Sequence, residues 1–489
     1  MTSNTLSRNL GACCATLSSV LGDKISFPNS APYNASLTSY FSLQNTDLKP
    51  LCIVSPTSAE DVSIALTSII STSSTLPPEQ KSECHIAIRS GGHASHGGAS
   101  NIDHGVTFDL SGLKSIDLSD NQSTVSVGVG AEWGDVYAFL EPYGLCVAGG
   151  RAAQVGVGGL TLGGGISYFS PRYGWTCDTA INFEIVLADG KIINANEYEN
   201  PDLLISLRGG GGSNFGIVTK IDLKTFKQGP IWAGMAYYSL ETIDAQLKAF
   251  EEFSSAEGYD EHASLITSFG FAPPMGSAVV NSIVYTKDEE NPKAYQPFLE
   301  IPSLMSNITT RSNLEMSKVQ GSFQVDGKRE MNVVITHEST FPMLKAAYLR
   351  WNSSLSAIEN ITGVNWSLSL EPLPPAIYDR APTKNAFGLA DRKKALVVTL
   401  LSATWEDAKD DVLVEKNARE LFRGIEEDAR RLGCFDPYIY PNYAAVWQDV
   451  IASFGEESIE KLQKISREVD PKEVFRVNVP GGFKIPSSS

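Results

Sequence analysis

Arg89-Ser90-Gly91-Gly92-His93 and, further along, Val155-Gly156-Val157-Gly158-Gly159-Leu160-Thr161-Leu162-Gly163-Gly164-Gly165 are the stretches on which the fold turns. Glycine carries no β-carbon, so runs this dense let backbone N–H groups close on a phosphate-bearing cofactor that a larger side chain would push away. A nucleotide cofactor is the first implication. The spacing argues against a Rossmann enzyme, whose fingerprint G-x-G-x-x-G joins a strand to a helix, because none of the glycine clusters supplies it.

Outward from these stretches, residues 49–227 read as short apolar runs of strand length separated by glycine, Asp-Gly or Asn turns. The clearest strands are 86–88, 106–110, 124–129 and 183–187. Helices are predicted over 58–72, where Ser58 and Asp61 form an N-cap pattern, and over 133–140. After Gln228, amphipathic helices predicted at 240–253, 293–300, 341–358 and 405–432 alternate with strands such as 278–285 and 395–401; Leu247, Phe250 and Phe253 recur at helical spacing. The expected class is α+β. It comprises an N-terminal helical segment (1–46), a cofactor domain (47–227), a substrate domain whose antiparallel sheet is covered by helices (228–434), and a C-terminal segment (435–489) returning to the cofactor domain.

The composition fits a folded protein: 42% of the 489 residues are hydrophobic and 19% charged. A net charge of -17 argues against nucleic acid or an anionic membrane as partner, since both would repel it, and favours a small neutral or cationic substrate. No apolar run reaches membrane-spanning length. Arg8 and the stretch 10–21 have a hint of signal-peptide charge and length but no clean cleavage site, and the stretch reads as a helix of the mature chain. The seven cysteines show no zinc spacing and no C-x-x-C pair, so no metal is expected. Six sequons, beginning at Asn34, Asn121, Asn307, Asn352, Asn360 and Asn365, permit glycosylation and a secretory route.

Several further motifs occur in order: Leu51-Cys52-Ile53-Val54-Ser55-Pro56-Thr57-Ser58-Ala59-Glu60-Asp61-Val62, Arg172-Tyr173-Gly174 with Asp178, Asp189-Gly190, Arg208-Gly209-Gly210-Gly211-Gly212-Ser213-Asn214-Phe215-Gly216-Ile217-Val218, Asn442-Tyr443, and Val469-Asp470-Pro471-Lys472-Glu473-Val474-Phe475-Arg476. With the two glycine stretches, they resemble the berberine-bridge-enzyme-like branch of the vanillyl-alcohol-oxidase flavoproteins, over about residues 10 to 230 and 435 to 480. The resemblance implies a PCMH-type, two-subdomain FAD-binding domain. His93 falls where relatives join histidine covalently to the FAD methyl carbon, with Arg89, Ser90, Gly91 and Gly92 forming its loop. Gly156, Gly158, Gly159, Thr161, Gly163, Gly164 and Gly165 would wrap the diphosphate in amide-lined hairpins, and Ile217 and Val218 would meet the adenine end. Ala152 occupies the place of a second, cysteinyl attachment, so a single covalent bond is implied. Cys14 and Cys84 match a disulfide of secreted relatives.

The resemblance also implies a chemistry. Val155 matches a position where a small residue admits dioxygen to the reduced flavin. Tyr173 and Tyr443 match tyrosines lining the substrate side, and Asn442 a neighbour packed near the ring. A tyrosine acts as base only if a cation or hydrogen bonds pull its pKa down. The family's catalytic glutamate is expected near Leu400, an apolar residue; Glu371 and Asp379 precede it without a clear alignment. Together these features imply an FAD-dependent oxidase moving a hydride from a small organic substrate to flavin N5 and then to dioxygen, giving hydrogen peroxide. An apolar lid without a carboxylate points to polyketide or alkaloid substrates of secondary metabolism. A carbohydrate or primary-alcohol oxidase, and a redox-silent flavin scaffold for cyclisation or binding, are the alternatives.

Overall fold

Cys52–Val54, Val106–Asp109 and Ile86–Arg89 are apolar almost throughout, the pattern of strands covered on both faces. In the computed structural model, which describes residues 11–255, 257–380 and 384–487, they lie side by side and parallel, with Ile25–Ser26 antiparallel at one edge. The last strand runs straight into the Ser90–His93 loop. A second, antiparallel sheet of five strands follows the order Ile116–Leu118, Thr124–Gly128, Ile217–Lys224, Ala180–Val186 and Ile192–Asn196. Ala59–Thr75 forms the predicted helix, its first turn capped by the Ser58 hydroxyl accepting from the Asp61 amide.

The helix Ala12–Leu21 is stapled to this layer by two disulfides, Cys13 to Cys84 and Cys14 to Cys52. The expected Cys14–Cys84 pairing is thereby corrected. Consecutive helical residues point about 100° apart, so adjacent cysteines reach different partners. Of the expected helical stretch, residue 10 and Arg8 lie outside the described residues.

The third sheet has nine strands and is antiparallel. Its main path runs Met305–Ser306, Ile231–Tyr238, Gly276–Tyr285, Ala263–Ala272, Asn365–Leu373, Leu396–Trp405, Arg329–Glu338 and Phe435–Asp436, with Thr309–Arg311 pairing off it onto Ile231–Tyr238. One face packs under the helices Ile243–Ser254, Phe341–Ile358 and Asp411–Arg431, burying Trp351, Trp366 and Trp405. The helix predicted from Trp405 begins instead at Asp411: Trp405 ends a buried apolar strand, and its indole N–H donates to the Asp411 carboxylate at 2.8 Å. No helix among the described residues is long and apolar enough to cross a membrane. The tail helix Glu456–Val469 sets Leu462 against Gly210, and the Ile86 amide donates to the Asn478 carbonyl, so the C-terminal segment returns to the first sheet's edge.

Candidate functional site

The two glycine stretches meet. A β-carbon on Gly91 would lie 2.7 Å from the Gly156 backbone, and one on Gly156 would lie 2.5 Å from the Gly91 amide nitrogen. Ser90 fixes the contact by donating its hydroxyl proton to the Val129 carbonyl at 2.6 Å. Arg89 points away from this junction: its buried guanidinium donates to the carbonyls of Ser36 and Ser39 and lies over the Tyr40 ring, so it anchors the loop's root.

Past the junction the chain forms a short helix, Val157–Leu162, where hairpins are expected from the sequence. Gly156 enters it with an extended backbone, and the small residues that follow permit one tight turn to continue as helix. The Thr161 hydroxyl donates within this helix, to the Val157 carbonyl. A β-carbon on Gly159 would meet nothing within 4 Å, so this residue faces open space. Gly163, Gly164 and Gly165 are occupied differently. Their amides donate to the carbonyls of Gly159 and Thr161 and to the Tyr440 hydroxyl. Asn442 presses on Gly163 and donates to the Leu160 carbonyl, while Phe387 fills the space beside Gly164. Ile217 and Val218 are buried in the five-stranded sheet, paired with Val186 and Ile185. Val155 accepts from the Trp133 amide.

His93 stands at the end of the first loop. Its imidazole stacks on Phe41, with ring centres 4.0 Å apart and planes 16° from parallel, and its Nε2 lies 3.0 Å from Gln324 Oε1. Burial pushes the imidazole down to about 4, against a smaller upward pull from Gln324, so the ring is neutral at physiological pH.

On the opposite wall, Glu371 reaches in from the strand Asn365–Leu373. Arg151 Nη2 donates to both its oxygens, at 2.9 and 3.1 Å, and also contacts the Tyr443 hydroxyl. That hydroxyl in turn donates to Glu371 Oε1 at 3.2 Å. A buried carboxylate thus lies in this sheet, though not at Leu400. In the sheet register Leu400 faces Ser369 while Glu371 pairs with Val398, so the acid comes from the neighbouring strand. Asp379 is exposed beyond that strand's end. Burial raises the Tyr443 phenol well above its ordinary value, opposed by Arg151 and reinforced by Glu371. Tyr443 is therefore a neutral phenol, which excludes a standing phenolate base. Burial alone would lower the Arg151 guanidinium, but Glu371 and Tyr443 more than reverse that and hold it charged. The Tyr173 ring is stacked on Phe226 at 4.3 Å with the Arg172 guanidinium nearby.

Sequence reading missed Arg151, Gln324, Tyr168 and Tyr440. Tyr440 accepts from the Gly165 and Ile166 amides, and Tyr168 is buried with its hydroxyl unpartnered among the described residues. The face of the large sheet away from the helices also differs from the expected apolar lid. Ser268 and Ser369 hydroxyls lie 2.7 Å apart, and alternation puts Ser367 and Ser402 on the same face as Glu371. The residues fit FAD: close backbone contact at the glycine junction, an open face at Gly159, a neutral imidazole at the loop end, and an orphaned phenol at Tyr168.

Comparisons with known proteins agree. The FAD binding domain family matches residues 50–196. The protein named oligopeptidase PhomG' of Diaporthe leptostromiformis is 43% identical over 96% of this chain, which spans only 37% of that protein's length. FAD-dependent monooxygenase CTB5 of Cercospora beticola is 34% identical over 97% of this chain and 92% of its own. Among solved structures, BBE-like 1 of Physcomitrella patens superposes with a TM-score of 0.77 at 18% identity, covering 98% of this chain and 99% of that one. Glucooligosaccharide oxidase of Acremonium strictum, whose FAD is described as 6-S-cysteinyl and 8α-N1-histidyl, gives 0.77 at 20% identity over 98% and 100%. On its match to the FAD binding domain family and to FAD-dependent monooxygenase CTB5, this chain belongs to the FAD-dependent oxidoreductases, built on the fold that berberine-bridge-enzyme-like proteins share.

Proposed function

We propose that the chain is an FAD-dependent oxidase of hydroxyl-bearing secondary metabolites, of polyketide or alkaloid type, with FAD held by one covalent bond through His93. The buried Arg151–Glu371–Tyr443 cluster carries this reading. FAD, when bound, supplies a two-electron hydride acceptor that dioxygen reoxidises to give hydrogen peroxide. The Ser90–His93 loop and the Gly156–Gly159 turn would hold it, with Asn442 fixing the helix Val157–Leu162 and Tyr440 the Gly165 and Ile166 amides that follow it.

The chain's own task is the proton. Hydride departure alone leaves a cation beside the substrate oxygen, so an O–H proton must leave at about the same time. Tyr443 Oη accepts that proton while passing its own to Glu371 Oε1, and Arg151 keeps both groups in line. The hydroxyls of Ser268 and Ser369 offer partners to further oxygens on the substrate. Ala152 in place of a cysteine supports a singly attached flavin, unlike that described for glucooligosaccharide oxidase.

Anaerobic mixing with candidate hydroxylated aromatics should bleach the flavin in the wild type and leave it coloured in Glu371→Gln. Peroxide formed in step with product supports an oxidase. Oxygen from labelled dioxygen appearing in the product would instead assign the monooxygenase chemistry named for CTB5, and robust turnover of sugars would reject the substrate class.

A further inference from the structure

His93 belongs to the cofactor domain, yet the group that holds its ring is supplied by the substrate domain. Gln324 lies in the turn after the helix Asn313–Gly321, and its side-chain oxygen meets His93 Nε2 at 3.0 Å. That turn is fixed from below by Gln154, the neighbour of Val155, whose side-chain amide donates to the carbonyls of Gly321 at 2.7 Å and Gln324 at 3.3 Å. Gln154 packs so closely on Gly321 that a β-carbon there would lie 2.1 Å from its oxygen. On the other side of the imidazole Phe41 closes the stack, and its carbonyl accepts from the Gly327 amide at the far end of the same turn. The ring is thus held in plane and in rotation by three segments distant in sequence.

The orientation of the Gln324 amide is coupled to the tautomer of the ring. With the Gln324 oxygen turned to Nε2, as it stands in the structure, Nε2 is the ring nitrogen that carries the proton and the lone pair is on Nδ1. We propose that Gln324 is the positioning residue for covalent attachment of FAD: it orients His93 and fixes the proton on Nε2, so that Nδ1 is the attacking atom. The inference rests on the reading that FAD is bound through His93. In the step, a C–N bond forms between Nδ1 and the flavin methyl carbon. The methyl group gives up one hydrogen and the imidazole gives up the proton on Nε2. Two electrons enter the ring system and are removed by dioxygen, which becomes hydrogen peroxide. After the bond has formed, Nε2 carries a lone pair, and a glutamine can turn its amide N–H toward it; a glutamate cannot.

Burial and the Gln324 hydrogen bond set the protonation of His93; the charged residues of the packed elements add nothing resolved to it. Arg89 and Glu132 flank the glycine junction, Asp326 follows Gln324 by two residues, and Glu330 sits at the start of the adjoining strand. Burial raises Glu132, Asp326 and Glu330, the last to about 9.

The experiment follows over time, at several pH values, the covalent fraction in protein loaded with FAD, flavin that stays with acid-precipitated protein divided by total flavin, with the His93 peptide followed by mass. Wild type should be almost fully covalent. Gln324→Leu should bind FAD at the wild-type total yet attach it about tenfold more slowly, the rate equivalent of one buried hydrogen bond. Gln324→Glu adds a test that a structural role would not affect. A carboxylate raises the imidazole's pKa, so attachment should rise with pH across the neutral range, whereas wild type, with its ring near 4, should be flat there. Wild-type attachment with both variants unchanged in rate and pH profile would overturn the inference while leaving the covalent role of His93 intact. Wild-type protein holding FAD with the His93 peptide unmodified would overturn both.

Discussion

The two walls of the site are built by opposite means. On the cofactor wall the backbone itself makes the shape: Gly91 and Gly156 touch main chain to main chain, and no side chain fits between them. On the substrate wall the backbone is a regular antiparallel sheet, and what matters is which side chains alternate onto one face: Glu371, Ser369 and Ser367 from one strand, Leu400 and Ser402 from the next. A backbone-made surface should respond to substitution all at once, and a side-chain-made surface residue by residue.

The largest expected effect follows on the cofactor wall. Gly91→Val places atoms inside the Gly156 backbone and should abolish FAD incorporation, read as visible absorbance per mole of purified protein; a yellow variant at full loading would break the contrast between the walls. Next, Glu371→Gln should keep full FAD content but slow flavin reduction by roughly 10²–10⁴-fold, the range for losing a general base. Tyr443→Phe should fall below that loss if the phenol only relays the proton, and a larger loss would make the tyrosine the principal group. The third effect is on stability. Replacing Cys13 and Cys84 together by serine should cost about 2–4 kcal/mol, measured as a lower denaturant midpoint, because the cofactor wall relies on its covalent staples.

The smallest effect sharpens the picture of the substrate wall. Burial, and then Asp326, push the Glu330 carboxyl up from 4.5 to about 9. Between those values the folded chain keeps a proton that the unfolded chain has lost, so stability falls as pH rises through that window. Glu330→Gln removes the dependence and should stabilise the protein by about 1 kcal/mol or more at pH 8, with little change near pH 4. An unchanged pH profile of thermal unfolding would show that Glu330 is not the source.

The same contrast explains how much of the site is legible in the amino-acid sequence. The cofactor wall is legible because a glycine demanded by close approach has no substitute, and because His93 follows two of them. Even there legibility stops short: Gly163 to Gly165 serve packing against Asn442, Phe387 and Tyr440, partners hundreds of residues away. The substrate wall is largely illegible. Glu371 is one acid among many until the register pairs its strand with Leu396–Trp405, and Arg151 follows two glycines with nothing local to mark its partner. Adjacent Cys13 and Cys14 could each reach Cys84 on paper; only the helix direction decides. Tyr173 matches a motif, but its ring is engaged by Phe226.

The ion pair between Arg151 and Glu371 joins the two walls in a nearly dry setting, with side chains only 10% and 5% exposed. Losing either member would strand its partner's charge, a penalty of several kcal/mol. Arg151 and Glu371 therefore behave as one unit: a single substitution at either carries that penalty, whereas removing both charges together avoids it.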